Sequence, residues 1–132
     1  QELLEAAGGF SAEPEKIISG GPMMGMALFS IDLPVTKTSS ALTCFTKDMV
    51  AAQEPTPCIR CGRCVSVCPS HIVPPMMMKA ALMDDVEGFE KVNGMECMEC
   101  GSCTYVCPAK RPLTQAFKDM RRQVAAARRK KA

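Results

Sequence analysis

The cysteines constrain this chain more than anything else in it. The run Cys58-Ile-Arg-Cys61-Gly-Arg-Cys64-Val-Ser-Val-Cys68-Pro69 returns as Cys97-Met-Glu-Cys100-Gly-Ser-Cys103-Thr-Tyr-Val-Cys107-Pro108. Both copies read C-x2-C-G-x-C-x3-C-P, and together they hold eight of the nine cysteines in 132 residues. Against them stand five Phe, one Tyr and no Trp. With so little aromatic area to bury, a small core needs help from disulfides or bound metal.

The spacing favours iron and sulfur. Three thiolates at two-residue separations on a turning backbone can hold three corners of one iron–sulfur cube. A fourth Cys four positions on, followed by a φ-restricted Pro, is carried away from that cube, and the partner repeat supplies the missing corner. This run is the bacterial ferredoxin signature, in which the fourth Cys ligates the other cluster of a pair. The expected ligands are Cys58, Cys61, Cys64 and Cys107 for cluster 1, and Cys97, Cys100, Cys103 and Cys68 for cluster 2. Gly62 and Gly101, lacking a Cβ, are expected to let backbone N–H groups approach the cluster sulfurs. Because metal-binding energy becomes folding energy, the apo chain should be largely unfolded.

Other uses of the cysteines fit less well. Two zinc sites would also consume eight cysteines, but zinc modules favour two C-x2-C pairs separated by a longer loop. Disulfides need an oxidising compartment, of which the sequence carries no sign. A thioredoxin-type C-x-x-C fails because neither run stops at two cysteines. Complete cysteine ligation leaves no iron open to substrate, so the pair of clusters reads as a one-electron wire, one cube receiving and the other passing on. No Ser/His/Asp set or paired catalytic carboxylates emerges, and no catalytic residue is expected here.

Around the repeats the chain predicts an α+β fold in four stretches: 1–43, a connector 44–57, the cluster domain 58–109 and a basic helix 110–132. The first begins with a helical pattern over Glu2 to Ala7, stopped by Gly8 and Gly9. Lys16–Ser19 then reads as a short strand, and residues 31–38 as an edge strand or extended linker because of Pro34. Such a stretch cannot close a core alone; it looks like the tail of a domain, and Gln1 in place of Met suggests a processed chain or a fragment. Thr46 to Gln53 is helix-compatible. Between the repeats, Pro74-Pro75 open a Met-rich helix through Met83, and residues 84–93 bring the chain round. Leu113, Ala116, Phe117, Met120, Val124 and Ala127 recur at helical spacing, with Arg121, Arg122 and Arg128 pointing away from that face and the tail fraying past Arg128.

The net charge of +2 hides a division, −6 over residues 1–109 and +8 over 110–132. The basic end reads as a solvated helix terminus, or as a match for an acidic partner or anionic lipid. Without aromatic interleaving it does not suggest nucleic acid. No stretch approaches the roughly 18 apolar residues of a membrane span, and no signal-peptide pattern opens the chain. Among smaller features, Cys44 reads as a small buried hydrophobe and His71 as a surface or capping residue. Met76, Met77, Met78 and Met83 read as core filling, and Tyr105 as a shield for a cluster. Residues 20–25, Gly-Gly-Pro-Met-Met-Gly, lack both the P-loop ending and a G-x-G-x-x-G pattern, which leaves a tight structural loop.

Ile18-Ser-Gly-Gly-Pro-Met-Met-Gly25, Leu33-Pro-Val-Thr-Lys37 and the two cysteine runs, ending in Cys107-Pro-Ala-Lys-Arg-Pro-Leu-Thr-Gln115, closely resemble the C subunit of the Rnf electron transport complex. The resemblance runs from about Glu2 to Arg122. It implies that residues 1–43 end a soluble-ligand-binding β-grasp (SLBB) domain and that 58–109 form a mostly helical two-[4Fe–4S] ferredoxin domain. It further implies a peripheral subunit on the cytoplasmic face of a bacterial membrane. Its partners would be the other Rnf subunits, including the ferredoxin-like one, in an ion-translocating ferredoxin:NAD oxidoreductase. The family's FMN- and NADH-binding domain has no counterpart in these residues, so neither cofactor is expected on them. The alternatives are the ferredoxin domain of a microcompartment cobalamin reductase, which shares these domains, and a zinc-stapled interaction module.

Overall fold

The computed structural model describes residues 2–50 and 53–131. The chain divides into two compact units, Gln1–Gln53 and Glu54–Ala132, and its architecture is α+β.

In the first unit α1 (Glu2–Ala6) ends at Gly8 and Gly9, whose φ of 93° and 77° turn the chain left-handed. β1 (Lys16–Ser19) pairs antiparallel with β2 (Met26–Ala27) and β3 (Leu42–Phe45) in the order β2-β1-β3. Ile18 sits opposite Ala27 on one side and Thr43 on the other. The glycine-rich loop is indeed tight, since a Cβ on Gly25 would lie 2.6 Å from Gly21 O and 2.7 Å from Ser19 O. Residues 31–36 join no strand of the sheet, which selects the linker reading. The expected helix over Thr46–Gln53 does not form across its described part. Lys16 Nζ meets Asp48 Oδ2 at 2.8 Å, Glu15 Oε2 accepts from Asp48 N, and Asp48 Oδ1 accepts from Val50 N in an Asx turn. Residues 51 and 52 lie outside the described residues. Ile18 is the one buried side chain among the described residues of this unit, while Phe29 is 92% exposed.

The second unit is helical. α2 (Arg63–Ser66) and α5 (Ser102–Tyr105) are single turns that pack together. α3 (Pro74–Leu82) starts on the expected proline pair. α4 (Val86–Lys91) lies where only a return of the chain is expected, capped by Asp85, whose Oδ1 accepts from Gly88 N at 2.8 Å. A 3-10 turn, Gly94–Glu96, delivers the second cysteine run, and α6 (Leu113–Lys131) closes the unit. The core joins Met77 and Met78 of α3, Phe89 of α4, and Leu113, Phe117, Met120 and Val124 of α6. The rings of Phe89 and Phe117 meet with centroids 6.3 Å apart, tilted by 48°; each buried ring contributes about 1.5–3 kcal/mol. The methionines divide: Met77 and Met78 fill the core, whereas Met76 and Met83 are exposed.

Two expectations for the last helix need correcting. Arg121 does not turn away from the cysteine runs; its guanidinium pairs with Glu99 of the second. The helix continues past Arg128 to Lys131 instead of fraying there, with Arg128 tied to Glu90 of α4 at 2.6 Å.

Candidate metal centres

The two cysteine runs adopt one backbone twice. Arg60 and Glu99, the second x of each opening C-x2-C, have φ of 56° and 58°. Gly62 and Gly101 follow at 76° and 85°, then His71 and Lys110, both at 52°. Between them α2 and α5 form on matching bonds, Val65 N to Gly62 O at 2.9 Å and Thr104 N to Gly101 O at 3.1 Å. Each turn ends alike, Cys68 N bonding Val65 O and Cys107 N bonding Thr104 O. The glycines therefore serve the left-handed conformation. A Cβ on Gly62 would meet no protein atom within 4 Å, so close approach within the protein is not what requires glycine there.

Arg60 and Glu99, the first left-handed residue of each run, turn their N–H groups toward sulfur. Arg60 N donates to Cys58 Sγ at 3.4 Å, and in the second repeat the Glu99 N–H bonds to the Cys97 sulfur. An amide N–H aimed at sulfur in this way favours negative charge there. The first repeat is also fastened to the end of the second, with Thr56 N donating to Ala109 O at 3.0 Å.

The eight cysteines line two cavities in sets of four. One is lined by Cys58, Cys61 and Cys64 of the first repeat and Cys107 of the second. The other is lined by Cys97, Cys100 and Cys103 with Cys68 from the first. Cys58 and Cys61 are exposed and the other six half-buried. Burial pushes the Cys64, Cys97 and Cys103 thiols up, and for Cys64 the nearby Cys103, Cys107 and Cys58 add to the effect. The Cys100 thiol is lowered, chiefly by the Ser102 hydroxyl 3.5 Å away. Among the described residues no three His, Cys, Asp or Glu side chains gather tightly enough to hold a single metal ion. Four soft sulfur donors per cavity, with amide N–H groups aimed at them, do suit an iron–sulfur cluster, whose own sulfides fill the space between the thiolates.

The surroundings of the cavities differ. Arg60, Arg63, Lys79 and Arg111 line the first. Ile72, Pro74, Phe117 and Thr114 line the second, where Glu99 is the one charged lining residue. Thr114 is buried, with its hydroxyl 2.8 Å from Thr104 Oγ1 and 3.7 Å from Cys103 Sγ. Neither threonine is marked by spacing, and only the register of the repeat could have drawn attention to Arg60 and Glu99. Tyr105 is 79% exposed and shields nothing. Cys44 is exposed on β3, opposite Ile17, and is not a core residue. His71 is exposed, its N–H bonded to Cys68 O at 3.1 Å.

A 4Fe-4S dicluster domain matches residues 51–108. The C subunit of the Na(+)-translocating ferredoxin:NAD(+) oxidoreductase complex of Acetobacterium woodii is 47% identical over 130 residues, 98% of this chain and 29% of the relative. The proton-translocating counterpart of Clostridium ljungdahlii is 45% identical over 96% of this chain and 28% of its own length. The C subunit of the ion-translocating oxidoreductase complex of Rhodobacter capsulatus is 45% identical over 88% and 22%. The chain thus spans less than a third of the length of these curated relatives. Among the described residues no helix is long and apolar enough to cross a membrane. With its duplicated cysteine backbone and a 4Fe-4S dicluster domain, the chain is homologous along nearly its whole length to the C subunit of the ion-translocating oxidoreductase (Rnf) complexes.

Proposed function

We propose that this chain carries electrons through two [4Fe–4S] clusters as part of the C subunit of a membrane-bound ion-translocating ferredoxin:NAD oxidoreductase. Cluster 1 is held by Cys58, Cys61, Cys64 and Cys107, and cluster 2 by Cys97, Cys100, Cys103 and Cys68. The observation that carries this is the lining of the two cavities, each with three cysteines of one repeat and the last of the other. Bound clusters supply one-electron oxidation and reduction. The chain's own residues hold them and tune them: amides of Arg60 and Glu99 aim at ligand sulfurs, and α3 and α6 cover cluster 2 with Pro74 and Phe117. No catalytic side chain is assigned.

The wider assignment extends the resemblance to the Rnf C subunit, and the homologues support it. Residues 1–43 are the end of an SLBB β-grasp domain, 44–57 a connector, 58–109 the ferredoxin domain and 110–132 a basic helix. The small three-stranded sheet, in which Ile18 is the one buried side chain among the described residues, supports a partial β-grasp. The protein sits peripherally on the cytoplasmic membrane face beside the other Rnf subunits, the ferredoxin-like one included. FMN and NADH are not assigned to these 132 residues.

The test is an anaerobic count of iron, acid-labile sulfide and zinc, with the EPR spectrum after reduction. About eight iron and eight sulfide with a spin-coupled spectrum are expected; about two zinc and no sulfide would leave a structural module. Ligand exchange between the repeats is read from Cys68→Ala. It should remove the same cluster as Cys97→Ala, so that the double variant keeps about four iron. Joined to Cys58→Ala it should leave none. Retention of about four iron in the Cys68/Cys58 variant, with none in the Cys68/Cys97 variant, would overturn the crossed assignment.

A further inference from the structure

Every charged side chain lining the cavity of Cys58, Cys61, Cys64 and Cys107 is a cation. Arg60 and Arg63 come from the first cysteine run, Lys79 from α3 and Arg111 from the approach to α6, and no carboxylate joins them. Among the described residues none of the four takes part in an ion pair. Three are exposed and Arg111 is half-buried. This ring arises although residues 1–109 carry a net −6, because three separate stretches assemble it. Within it Cys58 and Cys61 are exposed, and Ile59 between them is 66% exposed. The other cavity has the opposite character: its four cysteines are half-buried and its one charged lining residue, Glu99, is neutralised by Arg121.

We propose that this basic rim is the docking surface for an acidic electron-carrying protein, which exchanges electrons with the chain through the cluster of Cys58, Cys61, Cys64 and Cys107. The inference rests on the two-cluster reading above. A ring of unpaired cations around an exposed redox edge attracts a negative surface and speeds encounter. Ile59 gives the contact an apolar centre within a charged rim, the make-up expected of a small, transient electron-transfer interface. In the step itself, one electron leaves the partner's reduced iron–sulfur or flavin centre and enters the cluster. The partner is oxidised by one electron and the cluster reduced by one, with no bond made or broken and no proton moved.

The experiment uses the full cluster-loaded chain under anaerobic conditions, mixed rapidly with a reduced acidic ferredoxin at 20–500 mM salt, on the order of the range over which screening sets in. A net-neutral sulfonated viologen serves as the reference reductant. The test variant is Arg63→Glu with Lys79→Glu. Both positions are exposed and lie on helices, α2 and α3, where glutamate is a good helix former. The expected result is a ferredoxin rate constant at least about tenfold lower at low salt, with the wild-type salt dependence flattened. Rates with the viologen should stay within about twofold, and iron content and EPR spectrum unchanged, which separates docking from any shift in cluster potential. The proposal is overturned if the wild-type ferredoxin rate is independent of salt, or if the rim variant reacts like wild type. It is equally overturned if Arg129→Glu with Lys130→Glu slows the reaction while the rim variant does not. Missing iron or a missing EPR signal in the wild type would refute the two-cluster reading instead.

Discussion

Gly94→Ala places one methyl group at the tightest glycine of the second unit's core. A Cβ there would sit 2.6 Å from Phe89 Cζ and nearer still to Cδ1 and Cε1, where carbon atoms ordinarily stand about 3.5–4.0 Å apart. The ring has to retreat by about 1 Å. It has nowhere to go, being 0% exposed and backed by Phe117 at 6.3 Å between centroids. Gly94 is not among the positive-φ residues, so the cost comes from volume and not from backbone handedness. Overpacking of this kind costs about 1–3 kcal/mol, which is about a 5- to 150-fold rise in the opened population of the unit.

Cluster loss is irreversible, so the effect is best read as a rate. The assay is bleaching of the visible absorption in an iron chelator at mild guanidinium concentration, under conditions where opening limits the loss. Phe89→Leu removes the ring atoms that collide, and the double variant should therefore bleach more slowly than the two single effects combine to predict. Gly62→Ala supplies the contrast. Its Cβ meets nothing within 4 Å but its φ is 76°, so it should cost about 1–2 kcal/mol through handedness and be indifferent to Phe89. Bleaching of Gly94→Ala within about twofold of wild type, or strict additivity with Phe89→Leu, would refute the packing argument.

Two further outcomes follow from named contacts. Thr114→Val keeps the shape of a buried side chain and removes a hydroxyl 3.7 Å from Cys103 Sγ. It should cost about 0.5–1.5 kcal/mol and lower the potential of the cluster proposed for Cys103, because a hydrogen bond to sulfur favours the more negative reduced state; an EPR-monitored redox titration with no shift would remove Thr114 from that role. In the cluster-loaded chain, an aromatic disulfide reagent should titrate a single thiol per molecule, that of exposed Cys44. The signal should vanish in Cys44→Ser with iron content unchanged, and its persistence would mean that a cluster ligand is free.

What the sequence makes legible here is whatever depends on spacing along one stretch. Ligand chemistry demands fixed intervals, so the repeat and its register can be read directly, and that register aligns Arg60 with Glu99 and Gly62 with Gly101, pairs that share φ within 10°. Helical periodicity likewise marks Leu113, Phe117, Met120 and Val124 as the inner face of α6. α4 escapes because six residues interrupted by Gly88 carry too little period, although Asp85 was available as a cap. Pairing across the fold escapes altogether. Arg121 lies next to the apolar stripe, and nothing within α6 announces that Glu99, 22 positions earlier, waits beside it. Tyr105 and Cys44 are chemically suited to burial and yet are exposed, which their residue types alone do not reveal. The same division runs through the candidate site. Its two sets of cysteines follow from one motif used twice, but the motif leaves its x positions free, and those positions carry Arg in one copy and Glu in the other on the same left-handed backbone. Lys79 and Arg111 then join the arginine, while Arg121 cancels the glutamate. Two sites identical in ligands thus become unlike in charge, and the difference is created by residues that meet only once the chain has folded.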